Sequence, residues 1–99
     1  MDKIATFVKT VKTFGGDKSL YKVTPPVPWE WGILDMETGT RTVNKETTSF
    51  VLISYIPDEC GIFPCTENGN VVSMIDIASR KGGNITALFR QIGYEIEVQ

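Results

Sequence analysis

The chain has 99 residues, the usual size of one domain, and at 41% hydrophobic and 22% charged it is not a disordered chain. Ten Lys and Arg against 12 Asp and Glu give a net charge of −2, which lacks the basic excess of phosphate-driven nucleic-acid binding and is too small for a DNA mimic. No stretch approaches the ~20 apolar residues of a membrane helix, and Lys9 and Lys12 interrupt any secretory core near the N-terminus, so the expected compartment is the cytoplasm, or a host cytoplasm if the protein is viral.

Ile4, Phe7, Val8, Val11 and Phe14 recur at i, i+3, i+4, i+7 and i+10, the spacing of one helical stripe. With Asp2 as cap and Gly15-Gly16 as stop, this predicts an N-terminal helix whose stripe faces the core. Residues 19–24 read as a strand broken by Pro25-Pro26-Val27-Pro28. Residues 29–36 read as a second strand, residues 37–40 as a turn, and residues 40–43 as its returning partner. Residues 49–56 are apolar on both faces and belong at the centre of a sheet. A loop over residues 57–61 follows.

Asn68-Gly69 tolerates the positive φ angles of a two-residue hairpin turn, which predicts that residues 62–66 and 71–77 pair. Residues 78–83 read as a basic, glycine-containing loop. Asn84 is a good N-cap for a short helix over residues 85–92, with Ile85, Leu88, Phe89 and Ile92 as its apolar face and Gly93 as its end. Residues 94–98 alternate and predict a half-exposed strand. The fold expected over residues 1–99 is a single α+β domain: one mostly antiparallel sheet of about five to seven short strands, with an N-terminal helix and a short C-terminal helix packed on one face.

Residues able to do chemistry are sparse. There is no histidine, so no Ser-His-Asp or Cys-His arrangement forms within one chain, and no phosphate-loop or dinucleotide fingerprint is present. Cys60 and Cys65 are spaced wrongly for a redox pair and lack enough further ligands for a structural zinc, so they read as reduced, small apolar residues. The carboxylate pairs Asp35/Glu37, Asp58/Glu59 and Glu95/Glu97 read as solvated charges rather than an acid–base pair. No cofactor or metal is expected, and no catalysis.

Two segments could bind. Pro25, Pro26, Pro28, Trp29 and Trp31 form the candidate protein-binding set. The Pro-x-x-Pro spacing suits polyproline recognition, and alternation puts both indoles on one strand face. That face reads as core on the area an indole buries and as interface on the enrichment of tryptophan at binding hot spots; core is the stronger of the two. Arg80, Lys81, Gly82, Gly83 and Asn84 form the candidate anion-binding set, since a glycine-rich turn into a helix start can offer free N–H groups to a phosphate.

The runs 21–26, 61–64 and 68–71 resemble stretches of small bacterial or phage proteins, with no family named by them. The expected function is therefore a non-catalytic protein-binding module, an accessory or inhibitor protein of bacterial or phage type that could self-associate as a homo-oligomer. The alternative is a binder of a phosphate-bearing ligand, nucleotide or RNA, through residues 79–84. A nucleic-acid partner fits the charge poorly, and a membrane partner has no segment to serve it.

Overall fold

A computed structural model describes residues 3–56 and 58–97. Asp2, Pro57 and Val98, each used in an expectation above, lie outside the described residues. The chain forms β1 (Ile4–Thr13), β2 (Gly16–Leu34), β3 (Arg41–Ile56), β4 (Glu59–Cys65), β5 (Ala78–Lys81), α1 (Ile85–Gln91) and β6 (Glu95–Ile96). The strands make one curled, half-barrel sheet in the order β5-β4-β3-β2-β1-β6. Every pairing is antiparallel except β1 with β6. Among the described residues, no helix is long and apolar enough to cross a membrane.

The expected N-terminal helix is absent, so the two-helix α+β arrangement is replaced by a mixed sheet carrying one short helix. Six of the ten residues of β1 are Ile, Val or Thr, whose branched Cβ atoms fit a pleated strand better than a helix. The helical spacing does not mark one buried face: Phe7, Val8 and Phe14 are exposed, and Phe14 lies beyond β1. Phe7 pairs with Tyr21 and Lys9 with Leu20, so Val8 is the extra residue. The bulge resets the alternation, sending Ala5 and Phe7 to one face and Val11 to the other. Gly15-Gly16 does not stop a helix. It closes the β1–β2 hairpin, with Gly16 at φ +103°.

The prolines do not end a strand either. Lys22 lies opposite Phe50 and Val27 opposite Thr48, so residues 23–26 face only residue 49. Pro25 and Pro26 thus sit in a bulge, where no ladder donor is needed. Pro28 lies beyond the last residue of β2 that pairs with β1, Thr24, so its missing N–H would point to an open edge.

The chain turns at Asn68-Gly69, but not as the expected two-residue turn: only Gly69 has a positive φ, +86°, and the loop spans residues 67–69, with Gly69 N donating to the Thr66 carbonyl and Thr66 N to the Asn70 carbonyl, both at 2.9 Å. The strand expected over residues 71–77 does not. Cys65 and Val71 make a single bridge, Val72 N donates to the Pro64 carbonyl, and the next bond back to β4 is Ile77 N to the Ile62 carbonyl. Pro64 has no N–H to hold residues opposite it, and residues 73–76 bulge away there. Regular pairing resumes at Ala78 opposite Ile62, so residues 78–81 of the expected basic loop are strand. The 57–61 loop is likewise shorter than expected, because Glu59 already pairs with Ile56.

The C-terminal helix is close to its expectation. Asn84 Oδ1 accepts from Ala87 N at 3.0 Å, Ile92 is the C-cap, and Gly93 turns the chain at φ +85°. β6 is only two residues long and joins β1, with Glu95 N donating to the Lys3 carbonyl and Glu97 N to the Ala5 carbonyl, both at 2.9 Å.

Both sheet faces carry buried residues. On the first, Tyr21, Val23, Val51, Ile53, Cys60 and Ile62 receive Leu88 and Phe89 of α1 and Tyr94. Tyr21 links that core outward, 5.0 Å from the Phe89 ring and 5.6 Å from the Phe7 ring. Burying each such large side chain stabilises by roughly 1.5–3 kcal/mol. The second face holds a smaller cluster of Leu20, Leu52 and Cys65, flanked by Val11 and Phe50.

The sheet is six strands wide only over part of its length. β1 pairs with residues 16–24 of β2, and β4 with residues 50–56 of β3. Beyond those limits residues 27–34 and 41–48 pair only with each other. They form a two-stranded arm of eight cross-strand pairs, about 26 Å long at 3.3 Å per residue. Its tip is held by Asp35, whose carbonyl accepts from Gly39 N at 2.8 Å and whose carboxylate accepts from Glu37 N at 2.9 Å. The molecule measures 51 × 35 × 26 Å, and its radius of gyration of 14.3 Å exceeds the roughly 13 Å of a compact chain this long.

Candidate functional site

The root of the arm holds the two tryptophans. Trp29 lies opposite Glu46 and Trp31 opposite Asn44, and alternation sends these four side chains to one face. Both indoles are half-buried, and neither belongs to a core cluster. The core reading of Trp29 and Trp31 is therefore corrected: the arm outruns the sheet that would have covered them. Trp31 Nε1 donates to Glu46 Oε2 at 3.0 Å. Trp29 Nε1 is buried without a hydrogen-bond acceptor, a condition that costs about 1–3 kcal/mol.

An open groove of about 670 Å³ lies along this face, lined by Trp29, Trp31, Glu46, Thr48, Cys65 and Val72 among others. Its volume falls within the range of small-molecule and peptide sites. A second hollow of about 320 Å³ borders Trp29 with Glu30, Ile75 and Asp76. The charged residues lining the two are Glu46, Glu30 and Asp76, all carboxylates. The arm's cations, Arg41 and Lys45, alternate onto the opposite face from Glu46, where Lys45 Nζ lies 3.9 Å from Glu30.

Large apolar side chains are exposed on both faces of the arm and after β4. Ile33, Leu34, Met36 and Val43 are exposed along the arm, and Val72, Met74 and Ile75 along the bulged segment after β4. Ile33 shares the Trp29–Trp31 face by alternation, while Leu34 and Val43 lie on the other, and exposed apolar groups beside a groove mark interaction sites. Of the candidate prolines, Pro26 and Pro28 are exposed and Pro25 is half-buried. The Pro25 carbonyl accepts a hydrogen bond from the Tyr94 hydroxyl, tying the bulge to the core.

The anion candidates are dispersed. Arg80 and Lys81 are neighbours in β5 and so point to opposite faces. Arg80 Nη1 donates to Gln91 Oε1 at 3.1 Å, Asn84 is spent on the helix cap, and Gly82 and Gly83 form an exposed turn. Cys60 and Cys65 are free and buried, five positions apart on β4, one in each core cluster. That spacing spans roughly 16 Å of strand across opposite faces, which excludes a disulfide between them. Burial pushes the Cys65 thiol from its ordinary 9.0 up to about 12, so it is a poor nucleophile. Among the described residues no three His, Cys, Asp or Glu side chains gather as metal ligands would.

Glu46, Thr48, Val72 and Asp76 were not anticipated as site residues. Glu46 had a signal: a hairpin centred between Glu37 and Thr38 places it opposite Trp29. Thr48 had the same one, since that register sets it opposite Val27; Val72 and Asp76 carry none, because they arrive through the irregular path after β4. No protein-family model matches the chain, and no curated protein or solved structure matches it.

Proposed function

We propose that the protein is a non-catalytic protein-binding module, an accessory or inhibitor protein of bacterial or phage type, which works through the Trp29–Trp31 face of its arm. The observation that carries this reading is the pair of half-buried indoles lining a groove together with exposed Val72, next to a hollow lined by exposed Ile75. Large amphipathic aromatics that are neither fully buried nor freely solvated are what interface hot spots are made of. A cytoplasmic location, or a host cytoplasm, goes with this reading, because two free buried thiols suit a reducing compartment.

Trp31→Ala tests it. The expected result is loss of partner capture from source-cell or host-cell extract, with a melting temperature within a few degrees of wild type. Undiminished capture by this variant would remove the arm face from the function.

A further inference from the structure

The sheet narrows abruptly at the end of β4. Cys65 pairs with Phe50, and from Thr48 back to Arg41 β3 has β2 on one side and, among the described residues, no strand on the other. This leaves a free edge eight residues long containing no proline, so its outward N–H and C=O groups are all able to pair. The groove sits at this step, lined by Thr47, Thr48 and Cys65 together with Trp29 and Trp31. Glu46 gives only Oε2 to Trp31, and its other oxygen can accept a further donor. The groove thus combines a strand edge, two indole faces and a carboxylate, while both arm cations lie on the far face.

We propose that the partner enters this groove as an extended basic segment, adding a strand to β3 along residues 41–48 and placing a lysine or arginine side chain against the indoles and Glu46. This rests on the reading of the Trp29–Trp31 face as a protein-binding site. Main-chain bonds to the edge supply affinity and the side chain supplies selectivity, through cation–π attraction and a charge-assisted bond to the carboxylate. A second copy is a poorer occupant. Antiparallel self-pairing centred on Lys45 or Glu46 would set like charges against each other, and in the register centred on Asn44 neither Lys45 nor Glu46 faces an opposite charge, whereas a basic segment gives Glu46 one.

The probe is a blocked ten-residue peptide alternating arginine and threonine, compared with versions carrying glutamine or glutamate in place of arginine. Both tryptophans of the chain lie at the site, so their fluorescence reports occupancy, and amide exchange reports strand addition. The arginine peptide is expected to shift the fluorescence, to slow exchange over residues 41–48, and to bind about tenfold more tightly than the glutamine peptide at low salt. Binding should weaken in high salt. Glu46→Gln, which keeps an acceptor for Trp31, should weaken it roughly fivefold.

Equal binding of the arginine and glutamine peptides, protection outside residues 41–48, or no binding by any peptide would overturn the proposal. If Trp31→Ala still abolishes partner capture in that case, the protein-binding face stands and only the basic added strand falls. Protection of residues 41–48 that rises with protein concentration alone, with no peptide, would assign the edge to a second copy and equally overturn it.

Discussion

At the scale of single residues, the two cysteines show how a strand separates chemically identical groups. Cys60 faces the larger core and Cys65 the smaller one, and burial raises the Cys65 thiol pKa from 9.0 to about 12. The folded state therefore holds that proton where the unfolded chain has released it. Its contribution to stability is complete below pH 9 and is lost as pH rises through about 12. Tyr21, Tyr55 and Tyr94 are also raised by burial and act in the same direction. Urea unfolding from pH 8 to pH 11 should show stability falling in the wild type and falling less steeply in Cys65→Ala. Parallel curves for the two proteins would show that Cys65 does not take part. Below pH 9 the buried thiol should also resist alkylation until the protein is unfolded.

At the scale of elements, what could be read from the chain depended on whether the signal was local. Asn84 capping α1 and Gly93 ending it are local chemistry, and both stand in the structure. The double-sided apolar run ending at Ile56 does lie inside the sheet. β1 carries no clean two-residue period, because the bulge at Val8 breaks its alternation and Phe7, Val8 and Phe14 stand exposed. The site was half legible: alternation put Trp29 and Trp31 on one face, but whether that face is covered depends on where β1 and β4 stop, which no local pattern encodes. Asn68-Gly69 has a use besides turning the chain. A Cβ at Gly69 would lie 2.8 Å from Val11 Cγ2, so the turn packs onto β1 beside the smaller core. Gly69→Ala must bear both a left-handed backbone, at about 1–2 kcal/mol, and that overlap, at about 1–3 kcal/mol. It should lower the melting temperature by more than ten degrees or so, on a scale of about 4–8 °C per kcal/mol. In a Val11→Ala background the same substitution should cost measurably less, since residues in contact couple. Strict additivity of the two changes by thermal melts would disprove the packing role.

At the scale of the whole molecule, the arm and the sheet are separable in energy. The arm adds exposed Ile33, Leu34, Met36 and Val43 but no buried residue beyond the Val27–Thr48 pair at its root, and an isolated two-stranded ribbon is marginal in water. A variant joining Val27 to Thr48, which are paired, through a short Asn-Gly turn should keep the folded sheet with a loss of at most about 2 kcal/mol, a typical surface-to-intermediate cost, while losing the binding face. Loss of cooperative unfolding in that variant would show that the arm supports the core. The other end of the sheet has the reverse property. Its closing strand, β6, lies against β1 although Glu95 and Ile4 stand almost the full chain apart, and Leu88, Phe89 and Tyr94 complete the larger core. During synthesis the ribosome releases β1 to β3 well before these residues, and domains settle only as units. The nascent sheet must wait with the Tyr21 and Ile53 face uncovered, so a chain stalled before residue 85 would present a chaperone with the surface that the finished protein hides.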